Sequence, residues 1–167
     1  SIFIFSVILS KLLNKSFKPD AVAGHSLGEF SALAAAEGIS FSEGLLLVKK
    51  RAEAMHDACE LTKGTMAAIL GMKDKSVEDI CNNVKEVVVA ANFNCPGQVV
   101  ISGEFNAVQN TCEKLIKEGA KRAILLPVHG AFHSPLMNSA KKELEKAINN
   151  TSFKVPICPI YQNFTSF

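Results

Sequence analysis

The sequence predicts an α/β fold in two parts, a core built around a strand-turn-helix elbow and an inserted unit of alternating strands and helices. Three observations carry that expectation. A short apolar strand, Ala21-Val22-Ala23, runs through Gly24-His25-Ser26-Leu27-Gly28-Glu29 into an Ala-rich helical stretch. From Thr65 to Val128 the pattern becomes strand, helix, strand, strand, helix, strand. Beyond it, Val155-Pro156-Ile157-Cys158-Pro159-Ile160-Tyr161-Gln162-Asn163 reads as a strand returning to the first sheet.

Composition bounds the possibilities. At 167 residues and 48% hydrophobic, the chain can bury a sizeable core, as one domain or a domain with a smaller insert. A net charge of +2 without long Lys or Arg runs gives no footprint for nucleic acid and no membrane-surface helix. The expected partners are therefore small molecules or proteins. The five cysteines are scattered with no Cys-x-x-Cys pair, so neither a disulfide framework nor a zinc site is expected. A reducing compartment fits them: a cytoplasm, or a plastid or mitochondrial matrix in a eukaryote. His129 and His133 are four apart, but no acidic residue lies near them and Pro127 precedes them, so no metal site is expected.

Along the chain, residues 1–15 open with Ile2-Phe3-Ile4-Phe5 and stay apolar to Leu13. With no basic segment ahead and no small-residue cleavage site behind, the run reads as a buried helix rather than a signal peptide, and it is too short to span a bilayer. The absence of an initiator Met leads us to expect residues upstream.

The elbow follows the Lys18-Pro19-Asp20 turn. A serine hydroxyl is a weak nucleophile unless it is held at a sharp turn with a base in reach and N–H donors aimed at the developing oxyanion. Gly24 and Gly28 lack Cβ atoms, so both are expected to permit the turn and a close helix-strand approach. Leu27, next after Ser26, presents its N–H at the positive end of the new helix, where a negative oxygen is favoured. That helix is expected to stop at Gly38.

Ser42 is expected to cap the next helix, with Glu43 in its first turn and Leu45, Val48, Ala52, Met55 and Cys59 forming one buried stripe. Arg51 projects from the edge of that stripe, away from Lys49, Lys50 and Glu53. Two readings of it stand: an Arg snorkelling or paired with a carboxylate, and a planar charged fork that binds a substrate carboxylate bidentately.

In the inserted unit, Met66 to Leu70 is the first strand, followed by a helix capped by Ser76 and marked by Val77, Ile80 and Val84. Val87 to Ala91 and Gln98 to Ile101 are strands joined across Cys95-Pro96-Gly97. A second helix runs from Phe105 to Gly119, and Ala123 to Leu126 closes the set. This is the ferredoxin-like split β-α-β order. Next, Ser134 caps and Pro135 starts a third helix, with Met137, Ala140, Leu144 and Ile148 on its buried side. His133 thus sits at a helix N-terminus, which disfavours imidazolium and keeps the ring in the neutral form that a general base needs.

Taken in order, Gly24-His25-Ser26-Leu27-Gly28-Glu29, Arg51-Ala52-Glu53-Ala54-Met55, Asn92-Phe93-Asn94-Cys95-Pro96-Gly97-Gln98 and Gly130-Ala131-Phe132-His133-Ser134 resemble the malonyl-CoA:acyl carrier protein transacylases of fatty-acid synthesis. The acyltransferase domains of polyketide synthases are similar. The resemblance implies an α/β-hydrolase-like acyltransferase core in residues 1–62 and 129–167, with the ferredoxin-like subdomain in 63–128. It implies Ser26 as the nucleophile that carries malonyl as an ester, His133 as its base, and Arg51 as holder of the malonyl carboxylate. The Leu27 N–H becomes half of the oxyanion hole, and the Asn92/Asn94 loop lines the cleft near the coenzyme A or phosphopantetheine arm. Phe132 resembles the malonyl-selective pattern, whereas His129 falls where family members more often have a small residue. Malonyl-CoA and acyl carrier protein are the implied partners, with no bound cofactor and no metal.

The resemblance also implies an N-terminal strand with a Gly-Gln-Gly type loop ahead of this chain, and a segment beyond it whose backbone carbonyl orients the histidine. Without one oxyanion donor, turnover falls on the order of 100- to 1000-fold, so the chain alone is expected to lack full activity. Two other readings are weighed. An esterase or thioesterase of the α/β-hydrolase type uses the same elbow, but its acid, with Asp57, Asp74 and Asp79 as candidates, falls on a helix or in the insert. A non-catalytic module could dock an acidic carrier protein on Lys141, Lys142 and Lys146.

Overall fold

The computed structural model describes residues 1–13 and 16–164 and shows a mixed α/β chain of two compact units, Ser1–Ala52 with Glu143–Phe167, and Glu53–Lys142. The first unit holds α1 (Ile2–Leu12), β1 (Val22–Ala23), α2 (Gly28–Ala35) and the start of α3 (Phe41–Leu61). The second holds the rest of α3, β2 (Gly64–Leu70), α4 (Asp74–Asn82), β3 (Val88–Cys95), β4 (Gln98–Glu104), α5 (Phe105–Lys117) and β5 (Arg122–Leu125). There α6 (Asn138–Asn149) begins, and its end, with β6 (Ile160–Tyr161), belongs to the first unit again.

In the first unit, Phe3, Val7 and Val48 form a core with Leu27, Phe30 and Leu45 against it. Gly44 permits that packing, since a Cβ there would come within 2.7 Å of the Phe3 ring. The opening helix is not buried throughout, as the sequence suggests: Phe3 and Val7 are buried, while Ile2, Phe5 and Leu12 are exposed. Its apolar residues lie on every side, and one stripe alone faces its neighbours. Residues 14 and 15 of the expected helix lie outside the described residues.

The cap of α3 is Ser40, not Ser42. Ser40 Oγ accepts from the Glu43 N–H (3.1 Å), and Glu43 Oε2 accepts from the Ser40 N–H (3.1 Å). That reciprocal pair needs a spacing of three, which Ser42 does not have with Glu43. Helix α2 likewise turns left-handed at Glu37 (φ 61°), one residue before the expected glycine, and Gly38 N–H closes the end on Leu33 O. The buried row of α3 is also turned by about one residue from the expected stripe. Gly44, Leu47, Val48, Ala54 and Ala58 are buried, Ala52 is exposed, and Arg51 falls within the row itself.

In the second unit the sheet order is β3-β4-β2-β5 with every pair antiparallel, Ala67 lying opposite both Ile101 and Leu125. Helix α5 buries Ala107, Val108, Thr111 and Leu115, a helical spacing, and α4 buries Val77 and Cys81 four apart. With Ile69, Val99 and Ile101 from the sheet they make one core. Ser76 lies inside α4 rather than capping it: the helix starts at Asp74, whose carboxylate accepts from the Gly97 N–H (3.2 Å). Burial pushes the Cys81 and Cys112 thiols up to about 11.

Two hydroxyls in this unit, Ser102 Oγ and Thr111 Oγ1, are buried with no hydrogen-bond partner among the described residues. Desolvating a hydroxyl without replacing its bond to water is unfavourable. Thr111→Val should therefore raise stability by about 1 kcal/mol, read as a higher denaturation midpoint at unchanged m-value. A lower midpoint would mean that the hydroxyl is satisfied in solution.

Among the described residues, no helix is long and apolar enough to cross a membrane. Nor does any group of three His, Cys, Asp or Glu there stand close enough to hold a metal ion.

Candidate active site

The elbow is formed by β1, a tight turn and α2. Strand β1 pairs in parallel with β6, Val22 opposite Ile160 and Ala23 opposite Tyr161, so the expected returning strand does lie beside the elbow strand. The turn is closed by the Gly28 N–H on His25 O (2.9 Å) and the Glu29 N–H on Ser26 O (3.1 Å). Ser26 itself takes the left-handed backbone, φ 54°. For a residue with a Cβ this costs on the order of 1–3 kcal/mol, and it persists where surrounding bonds over-determine it. The two glycines divide unequally. A Cβ on Gly24 would overlap the backbone of Gly28 and Glu29, whereas one on Gly28 would meet nothing within 4 Å. Leu27 stands at the N-cap of α2, whose first N–H groups, of Gly28, Glu29 and Phe30, close on the carbonyls of His25, Ser26 and Leu27.

Arg51 reaches this turn from α3. Its Nη2 donates to Ser26 Oγ at 2.8 Å, so the structure brings together two residues twenty-five apart in the chain. Burial pushes the guanidinium pKa down from its usual value, and no carboxylate among the described residues pairs with it. It remains charged at neutral pH, because Arg starts so high. A half-buried cation whose hydrogen bond goes to a serine hydroxyl has the chemistry to receive an anionic group at that serine. Pairing of Arg51 with a carboxylate side chain thus has no support among the described residues.

The sequence does not single out Asn163, yet it lies at the same turn. Asn163 Nδ2 donates to Gly24 O (2.6 Å), Oδ1 accepts from the Ser26 N–H (2.6 Å), and its backbone N–H donates to Glu29 Oε2 (3.4 Å). The legible signal was an Asn two residues past a strand expected to pair beside the elbow.

The other candidates belong to the second unit. His133 is exposed and left-handed, φ 62°. It directly precedes Ser134, whose Oγ accepts from the Leu136 N–H (3.2 Å) and donates to Ala131 O (2.7 Å). Pro135–Met137 form a single 3-10 turn that leads into α6, so the expected cap and Pro start are present with a tighter first turn. Phe132 packs with Met55 and Cys59 against Ala54, Ala58, Met137 and Ala140. Gly130 is confined between the Cys59 sulfur and the Phe132 ring. His129 is exposed. Asn92 and Asn94 lie in strand β3, not in a loop. The β3-β4 register shifts between Ala90 and Asn92 and again between Phe93 and Cys95, and two bulges let the strand run on to Cys95. Asn92 is half-buried, while Asn94 is exposed and donates to Gln98 Oε1 (3.2 Å).

Comparison with known proteins places the chain as a whole. Residues 7–166 match the family model described as the acyl transferase domain. The chain is 41% identical over 162 residues to the malonyl CoA-acyl carrier protein transacylase of Bacillus subtilis, covering 95% of this chain and 51% of that protein. It superimposes on an acyl-carrier-protein S-malonyltransferase from Burkholderia pseudomallei with a TM-score of 0.94 at 38% identity, covering 99% of this chain and 55% of that one. A malonyl-transacylase solved in complex with a type II polyketide-synthase acyl-carrier protein gives a TM-score of 0.95 at 34% identity, again over 99% and 55%. The chain thus spans about half the length of the curated relatives it matches. An elbow serine bonded to a buried-row arginine and a match over nearly every residue lead to one assignment: the chain belongs to the acyl transferase domain family.

Proposed function

We propose that this chain carries the acyl-transfer centre of a malonyl-CoA:acyl carrier protein transacylase, with Ser26 as the nucleophile. The observation that carries the reading is the Arg51 guanidinium donating to Ser26 Oγ at 2.8 Å. The guanidinium fork at that hydroxyl suits the free carboxylate of a malonyl group arriving at Ser26. In the first half-reaction, Ser26 Oγ attacks the thioester carbonyl and passes its proton to His133. The tetrahedral oxyanion collapses to malonyl-serine, and coenzyme A leaves with the proton from the imidazolium. In the second, the thiol of the carrier's phosphopantetheine arm attacks the ester, its proton goes by way of His133 to Ser26, and malonyl departs as a new thioester. The Leu27 N–H serves the oxyanion in both halves. Asn92, Asn94 and Phe132 are assigned to the cleft that receives the acyl chain and pantetheine arm.

The acceptor is an acyl carrier protein, as the name of the Bacillus subtilis relative suggests; the motif resemblance favours a carrier of fatty-acid synthesis, and the polyketide-associated relative supports that second setting as well. The finer fold reading is an α/β-hydrolase-like core in 1–62 and 129–167 with a ferredoxin-like subdomain in 63–128. The β3-β4-β2-β5 antiparallel order supports that subdomain, since it is the order a split β-α-β unit takes.

Intact mass after brief exposure of the full-length protein to malonyl-CoA tests the proposal. The expected result is one malonyl adduct, absent in Ser26→Ala and released by carrier protein. Release of free malonate at the same rate without any acceptor would instead identify a hydrolase.

A further inference from the structure

The carboxamide of Asn163 bonds to two backbone groups that flank the turn at Ser26, and its position follows from the register of the strands. In a parallel pair, every second residue of one strand donates its N–H to the carbonyl before its partner and accepts from the N–H after it, so the residue that follows Val22 in this ladder is Gly24. Strands β1 and β6 end at Ala23 and Tyr161, and in this ladder the Val22 N–H donates to Pro159 O (2.9 Å). Beyond the last pair, β1 bends into the elbow and the main chain of β6 no longer follows it. The Asn163 side chain supplies the missing peptide: it donates to Gly24 O and accepts from the Ser26 N–H, both at 2.6 Å. Its own N–H on Glu29 Oε2 (3.4 Å) ties the same residue to the first turn of α2.

We infer that Asn163 is a positioning residue for the nucleophile. It acts through the backbone of the elbow, holding Ser26 in its left-handed conformation so that Oγ stays within reach of Arg51. A second consequence concerns the oxyanion. With the Ser26 N–H committed to Asn163 Oδ1, the adjacent Leu27 N–H is the elbow amide left to meet the developing charge. The inference rests on the proposed role of Ser26.

An amide alone provides both halves of the clamp. In Asn163→Asp, one carboxylate oxygen still accepts from the Ser26 N–H, but the other faces Gly24 O with no proton to donate. Asn163→Ala removes both bonds. The test is single-turnover acylation of the full-length protein by malonyl-CoA, which separates the rate constant from the amplitude. A merely structural role lowers the amplitude, as fewer molecules are folded, and leaves the rate constant of the folded ones alone. The positioning role lowers the acylation rate constant about 10- to 100-fold in both variants, the range in which a small displacement of a reacting group acts, while the KM for malonyl-CoA stays within about threefold because Arg51 is untouched. Wild-type rate constants in both variants would overturn the inference. If the unmodified protein takes no malonyl group at Ser26, the proposed function fails by itself. The rate of Ser26 labelling by a fluorophosphonate then decides the role of Asn163: slower labelling in both variants upholds it, and equal labelling overturns it.

Discussion

Arg51→Ala is expected to reduce malonyl transfer about 100-fold in kcat/KM, while transfer of an acetyl group from acetyl-CoA is retained or improved. Arg51 sits in the inward row of α3 with its pKa lowered by desolvation, and its fork ends on Ser26 Oγ. A desolvated cation is costly on its own, so an anion that binds it gains a charge-assisted, two-pronged contact in a partly dry site. Losing one partner of such a pair costs about 2–5 kcal/mol, and about 1.4 kcal/mol is tenfold. An acetyl group has no carboxylate to lose. For it the variant also removes the hydrogen bond that competes for the Ser26 lone pair. Arg51→Lys should fall between, since an ammonium keeps the charge but not the planar fork. Equal loss for malonyl and acetyl substrates, measured as kcat/KM side by side, would assign Arg51 to the elbow and not to the carboxylate.

How much of this was legible in the sequence depends on what each feature rests upon. The strand-turn-helix was legible because a short apolar run, a glycine where the helix backbone comes close, and an Ala-rich stretch follow one another directly in the chain. The β-α-β-β-α-β order was legible from alternating periods, because each element there buries one face on a common core. The phase of α3 was not. Leu45, Ala52 and Gly44 are all compatible with an inward position by composition, and the choice falls to Phe3, which packs on Gly44 from a distant part of the chain. That phase matters, since it moves Arg51 from the edge of the stripe into its midst. The cap of the same helix was misplaced by two residues because Ser40 and Ser42 are equally good alone, and the reciprocal bond with Glu43 decides between them. Asn92 and Asn94 were expected in a loop because bulges leave no mark in an apolar pattern. Asn163 was missed for a plainer reason: its two carboxamide bonds are to backbone atoms 139 and 137 residues away, and its place two residues past the returning strand was the one trace of them in the sequence.

The glycines of the elbow give the second large effect, and they separate what the pattern treats alike. Gly24→Ala places a Cβ inside the backbone of Gly28 and Glu29, where no side chain can swing aside, so β1 and the first turn of α2 must part. Overpacking of this kind costs about 3 kcal/mol. For a domain of this size that is a fall in Tm of about 6–12 °C. The displacement falls on both sides of Ser26, so acylation should be lost together with stability. Gly28→Ala meets open space, and Gly28 is the first residue of α2, where Ala is the better helix former. Its Tm should hold or rise. A Gly28→Ala protein that is stable but slow to acylate would show that the open space beside Gly28 is used by the acyl group. A Gly24→Ala protein with unchanged Tm and unchanged acylation would mean that the helix and strand are not in contact at this turn, and with that the elbow geometry itself would have to be abandoned.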